Sequence, residues 1–171
     1  MADVKILKRG GVYITPLKHK HFDQIENNLS PESVEELKIM GYEVRDALEE
    51  MQETAQAFVI KKDDGEFLGV TGLSHFNSPP QLFAMFSSAI RDNFVSLARG
   101  SRMLMGIIDA QEETTTMVIL AKHDIMIQWA GWLGYEMVGL FESKDNQYVQ
   151  FVRCICPSCH DGTGVSRPVM H

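Results

Sequence analysis

Two groups of residues in this 171-residue chain are of types that do chemistry. His75 ends a predicted strand, and its imidazole is suited to moving protons near neutral pH. Ser87 and Ser88 stand side by side downstream; such hydroxyls either orient a water or close a strand end by hydrogen bonding. The second group is Cys154-Ile155-Cys156-Pro157-Ser158-Cys159-His160. Three thiols and an imidazole equal the four ligands of a zinc site, and Cys156-x-x-Cys159-His160 has the form of a c-type haem attachment. All four ligands crowd into one short run with no second pair elsewhere, so the expectation is thiols without a metal. A stabilising disulfide is not expected in a reducing compartment.

These residues must be positioned by elements whose periodicity is readable. Val12 to Leu17 alternates as a strand. Phe22, Ile25 and Leu29 give a first helix. Ser30-Pro31-Glu32 begins a second: Ser caps, Pro suits the first helical position, and Glu favours the positive helix end. Val34 and Leu37 are its apolar side and Gly41 its stop; Val44, Ala47, Leu48 and Met51 mark a third helix. The period then changes. Ala57 to Lys61 and Phe67 to Leu73 flank Asp63-Asp64-Gly65-Glu66, a hairpin signal. After Asn77-Ser78-Pro79-Pro80, the run Leu82 to Ile90 reads as a central strand, and Arg91 to Gln111 as a long helix with Phe94, Leu97, Ala98, Leu104, Met105 and Ile108 as its apolar stripe. Thr115 to Leu120 is a strand, His123 to Leu133 a helix, and Glu136–Phe141 and Gln147–Cys154 are closing strands. The expected architecture is a single α/β (α+β) domain over residues 1–156, followed by a mobile tail at 157–171.

Composition narrows the function classes. A net charge of −7 argues against general nucleic-acid binding, because phosphate contacts need a basic face. The cluster Lys5, Lys8, Arg9, Lys18 and Lys20 is the local exception and reads as a solvated edge. No run reaches the roughly 18 apolar residues of a membrane span, and the N-terminal stretch has no secretory apolar core, so cytoplasmic residence without a membrane partner is expected. The acidic run Glu35, Glu36, Glu43, Asp46, Glu49 and Glu50 reads as a solvated helix face, with attraction of a cationic amine as its functional alternative. The ten methionines are expected as core filler. Trp129 is expected in the core, and Trp132, half-exposed, would suit a partner interface.

The segment His123 to Tyr135, HDIMIQWAGWLGY, carries a resemblance. Aligned on Gly134, it is similar to the closing motif Asn-x-x-Ala-x-x-Leu-Tyr-x-x-x-Gly-Phe of the GCN5-related N-acetyltransferase (GNAT) family. His123 stands at the Asn, Met126 at the Ala, Trp129 at the Leu, Ala130 at the Tyr and Tyr135 at the Phe. The resemblance spans about Val12 to Arg153 in element order. It implies a mixed, largely antiparallel sheet flanked by helices, and acetyl-CoA as cofactor for acyl transfer to a small-molecule or protein amine. The strand containing Phe83, Met85 and Phe86 would splay from Thr115–Leu120 and hold the pantetheine arm. Arg91, Asn93 and Phe94 would meet the pyrophosphate, and His123 would take the place of the cofactor-binding Asn.

The resemblance also exposes departures. The family's phosphate loop, Gln/Arg-x-x-Gly-x-Gly/Ala, corresponds here to Ile90-Arg91-Asp92-Asn93-Phe94-Val95, which has no glycine; a looser alternative is Arg99-Gly100-Ser101-Arg102. The Tyr that protonates the departing thiolate is replaced by Ala130. His75, or a water held by Ser87 or Ser88, is the expected base. The segment also resembles GNAT-like proteins of podovirus-type phages, the internal virion protein A branch, whose closing helix has the form Asn-x-x-x-Ile-x-x-x-x-x-x-Gly, with Ile127 at the Ile. That branch implies phage structural proteins as partners and a non-catalytic assembly role as the competing function.

Overall fold

The computed structural model describes residues 5–157. Cys159, His160 and the expected mobile tail beyond residue 157 lie outside them. One sheet of eight strands runs through the molecule in the order β1-β2-β3-β4-β5-β6-β8-β7. The strands are β1 (Leu7–Arg9), β2 (Val12–Pro16), β3 (Ala55–Lys62), β4 (Phe67–Ser74), β5 (Gln81–Phe86), β6 (Thr114–Leu120), β7 (Glu136–Ser143) and β8 (Asn146–Cys154). The helices are α1 (Phe22–Asn28), α2 (Pro31–Met40), α3 (Val44–Thr54), α4 (Phe94–Asp109) and α5 (Asp124–Trp132). Every pairing is antiparallel except β5 with β6. The expected α/β fold class is observed, and the element order matches apart from one added strand, β1.

The helices bury two separate faces. Phe22, Ile25, Leu37 and Leu48 of α1–α3 pack with Val59 and Val70 on one face of the sheet. On the other, Leu97, Leu104 and Ile108 of α4 join Trp129 and Ala130 of α5 over Ile60, Met117 and Phe151. Trp129 is fully buried. Its indole N–H donates to Ser101 Oγ at 2.8 Å, so the two helices of that face are joined by a satisfied buried polar contact.

Three boundaries differ from the sequence expectation. The residues read as a basic edge include a strand, β1, which turns into β2 through Gly10 and Gly11 at φ of 60° and 82°. Its three residues are all exposed, so no apolar alternation marks them. The strand expected at Leu82–Ile90 ends at Phe86, because Ser87 to Asn93 is spent on a turn containing a 3-10 segment at Ile90–Asn93. The long helix therefore starts at Phe94. That start also removes the Arg99–Arg102 loop: Gly100 lies inside α4, where a Cβ would stand 2.5 Å from Ile60 Cγ2. Gly100 brings the helix close to the sheet, and phosphate has no access to it there.

The feature that positions the site is the parallel junction. β5 and β6 pair only at Gln81 with Thr116, where the Thr116 amide donates to Pro80 O at 2.9 Å. Beyond it β5 follows β4 through Phe86, while β6 follows β8 through Leu120. The two strands therefore diverge as a V within the sheet.

Candidate functional site

At the open end of the V, α2 meets the exposed edge of β5. Ser30 caps α2, accepting from the Ser33 amide at 3.2 Å, and Pro31 opens the helix as its sequence predicts. The Ser30 amide donates to Phe86 O at 2.8 Å, and the Phe86 amide donates to Ser33 Oγ at 3.0 Å. Both main-chain groups of Phe86 thus face the V. Strand alternation turns those of Ala84 the same way, since Phe83 and Met85 face β4. Past Gln81 the edge of β5 has no strand partner on the β6 side, so at Ala84 an extended ligand can meet it as a neighbouring strand would.

Two cavities follow the V and abut at Ser33 and Met126, which line both. The larger, about 280 Å³, lies at the mouth among Ser88, Arg91, Lys122, His123 and Asp124. The smaller, about 100 Å³, lies deeper between Leu82–Met85 of β5 and Met117–Ile119 of β6. Glu36, Leu37 and Met40 of α2 roof it. Ion pairs cross the mouth: Lys122 Nζ meets Glu35 Oε1 at 2.6 Å, and Arg91 Nη2 meets Asp124 Oδ1 at 3.5 Å. The Lys122 hydrogen bond holds the Glu35 carboxyl below its usual range.

His123 is the anomaly of the site. It precedes α5 and is 3% exposed. Among the described residues neither ring nitrogen has a hydrogen-bond partner. Its nearest anions are Glu36 Oε2, 3.7 Å from Nδ1, and Glu35 Oε2, 4.0 Å from Nε2. A buried imidazole with both nitrogens unmatched is costly, and this one lines the larger cavity.

The other residues singled out from sequence fall in different places. His75 lines neither cavity; half-exposed beyond the end of β4, it pairs with Glu112 at 3.1 Å. Ser87 is buried and structural in its contacts, its amide donating to Leu68 O and its Oγ accepting from the Ala89 amide. Ser88 does line the mouth cavity. Phe83 and Met85 line the deep cavity, whereas Phe86 lines the mouth and packs edge-on against Trp129 at 5.0 Å. Asn93 turns back to donate to Ala89 O, and Phe94 packs against the core. Sequence reasoning missed Glu36, which it left on a solvated face. The available signal was its spacing: Ser33, Glu36, Leu37 and Met40 share one side of α2 at helical intervals, and Ser33 and Leu37 are buried.

The fit to a pantetheine-bearing cofactor differs along the V. Ala84, His123 and the apolar walls suit an amide-containing arm. The phosphate end is less open, because three amides of the turn are already bonded: Ser88 to Asn28 O, Ala89 to Ser87 Oγ and Ile90 to Ser87 O. The basic side chains at that end are those of Arg91 and Lys122. Tyr135 does not replace the missing hydroxyl of Ala130. It is buried at the corner behind α5, 2.7 Å from Thr115 Oγ1, and burial pushes its phenol up to about 12.

Toward the end of the described residues, Cys154 closes the last strand, β8, as its sequence predicts. Cys156 Sγ lies 3.0 Å from Cys154 Sγ. Among the described residues no group of three or more His, Cys, Asp or Glu side chains could hold a metal. No described helix is long and apolar enough to cross a membrane. Trp132 is 41% exposed, with the Arg102 guanidinium 3.8 Å above its ring.

No family model matches the chain, and no curated protein matches its sequence. Solved structures do match. A GNAT-family acetyltransferase from Bacillus anthracis is similar at a TM-score of 0.68 and 10% identity, over 86% of this chain and 97% of the other. A putative GNAT-family acetyltransferase from Bordetella pertussis gives 0.68 and 14%, over 86% and 98%. The ribosomal L7/L12 alpha-N-protein acetyltransferase RimL, solved in complex with coenzyme A, gives 0.66 and 9%, over 89% and 98%. The chain therefore has the GNAT fold. None of these three is described as a phage protein.

Proposed function

We propose that this protein is an acyl-CoA-dependent N-acyltransferase, with acetyl-CoA as donor and a primary amine as acceptor. The observation that carries the reading is the unpaired edge of β5 at Ala84, facing a cavity between two diverging parallel strands. An extended pantetheine arm, with its two amides, is a chemical match for that edge. Phe83 and Met85 would flank its thioester end and Phe86 its entry. Arg91 would meet a phosphate, with Asn93 and Phe94 holding the turn. His123 would meet the arm through a ring nitrogen that has no protein partner. The carboxylates of Glu35 and Glu36 beside the V suit a cationic acceptor.

A second reading is a non-catalytic assembly protein on the same fold, as in the phage branch that the closing helix resembles. The turn's spent amides favour it, as does the buried Ala130 where the family has its acid. In that reading, the Ser30 and Ser33 contacts to Phe86 and the Lys122–Glu35 pair keep the V closed.

Calorimetric titration with acetyl-CoA separates the two. The enzyme reading expects binding at about micromolar concentration, roughly −8 kcal/mol. Absence of heat at millimolar acetyl-CoA would leave only the assembly role.

A further inference from the structure

The V contains a pair of groups able to move a proton, Glu36 and His123, and these are none of the bases expected from sequence. Glu36 lines the deep cavity, where the acyl end of a pantetheine arm would lie; His123 lines the mouth cavity. Their facing atoms, Glu36 Oε2 and His123 Nδ1, are 3.7 Å apart, so a side-chain shift of under about 1 Å makes a hydrogen bond. The imidazole is almost wholly buried with both nitrogens unmatched, an arrangement with a cost that a purely structural histidine would not carry. His75 and Ser87 line neither cavity, and Ala130 has no acidic hydrogen.

We propose that Glu36 and His123 form the proton-transfer couple of the acyltransferase. The inference rests on the acyl-CoA reading above. Glu36 takes a proton from the acceptor ammonium, and the freed amine attacks the thioester carbonyl carbon. The tetrahedral adduct collapses with cleavage of the C–S bond. His123 gives the departing thiolate a proton and is recharged from Glu36. The second proton of the acylated nitrogen leaves to solvent, so one of the two displaced protons ends on sulfur and one in water. Other charged groups face His123: Glu35 and Glu32 from α2, Arg91 from the turn after β5, and Lys122 and Asp124 beside it in the chain. Of these, Lys122 and Arg91 are engaged by Glu35 and Asp124.

The test uses the whole chain with acetyl-CoA, following release of coenzyme A thiol to water and to a panel of primary amines between pH 6 and 9. Glu36→Gln keeps acetyl-CoA affinity within about threefold of wild type and loses at least about 100-fold in release rate, the scale of general-base catalysis. His123→Gln also loses release and Glu36→Asp regains part of it. Without cofactor, the ring ¹⁵N signals of His123 move in Glu36→Gln and stay in place in Glu53→Gln, a control on the exposed side of α3. Wild-type release by Glu36→Gln overturns the couple while leaving the acyl-CoA reading intact. So does a wild-type protein that binds acetyl-CoA and releases no thiol to any acceptor. Failure of wild type to bind acetyl-CoA overturns the reading itself, and the couple with it.

Discussion

Tyr135 shows how a residue at a family-like position takes a different role. Its hydroxyl meets Thr115 Oγ1 in the buried corner between α5 and β7, and its phenol is held protonated up to about 12 by burial. A group whose folded pKa is raised stabilises the fold fully below its unfolded value near 10 and loses that contribution as pH rises through the folded value. Denaturant unfolding of the wild type should therefore lose on the order of 2 kcal/mol between about pH 10 and 12 from this group. Tyr135→Phe should flatten that limb and, at neutral pH, cost about 1–2 kcal/mol by stranding the Thr115 hydroxyl. An unchanged alkaline limb in Tyr135→Phe would assign it to other groups. At this scale the sequence was only partly legible. Trp129 declared itself as core by its period. Glu36 did not, because its meeting with His123 joins segments about half the chain apart in sequence. A carboxylate on α2 looks solvated until α2 is laid across the V.

At the scale of elements, most of the fold is written in local signals. Ser30-Pro31 starts α2 and Gly41, in the left-handed region, ends it. Asp63-Asp64-Gly65 turns β3 into β4, and the apolar stripe of α4 follows its 3.6 period. What local patterning missed was set by neighbours. β1 is exposed throughout, and its one partner in the sheet is β2. The end of β5 is set by α2 taking the Phe86 main chain, and by a turn in which Ser87 accepts from the Ala89 and Ile90 amides. Gly100 is the sharpest case, since its role depends on Ile60 in a strand forty residues earlier. Gly100→Ala would force a methyl into the stiff β-branched Ile60 and push α4 from β3. Overpacking of this kind costs about 1–3 kcal/mol, readable as a fall in Tm, and in an Ile60→Ala background, which removes Cγ2, the same substitution should lower Tm less if this contact is the cause. An unaltered Tm in Gly100→Ala would show that α4 has room the packing does not suggest.

Across the whole molecule, the sheet divides into two arms that part at a single parallel junction, and the site is the parting. β1–β5 with α1–α3 form one arm, and β6–β8 the other, with α4 and α5 packed together on the opposite face. The split supplies an unpaired strand edge and cavities lined by both arms. It also gathers Glu36 and His123 from distant segments. The closing segment His123–Tyr135 announces the architecture through Gly134 and Tyr135, while the proton-transfer partner proposed for His123 lies across the V on α2. That this V receives an acyl-CoA is tested most directly by the map of amide ¹H–¹⁵N shift changes on adding acetyl-CoA to the labelled protein. Saturable changes should concentrate at Ala84, Phe86, Ser33, Arg91 and His123, with His75 unmoved. Changes confined to residues outside the V, or none at millimolar acetyl-CoA, would contradict it.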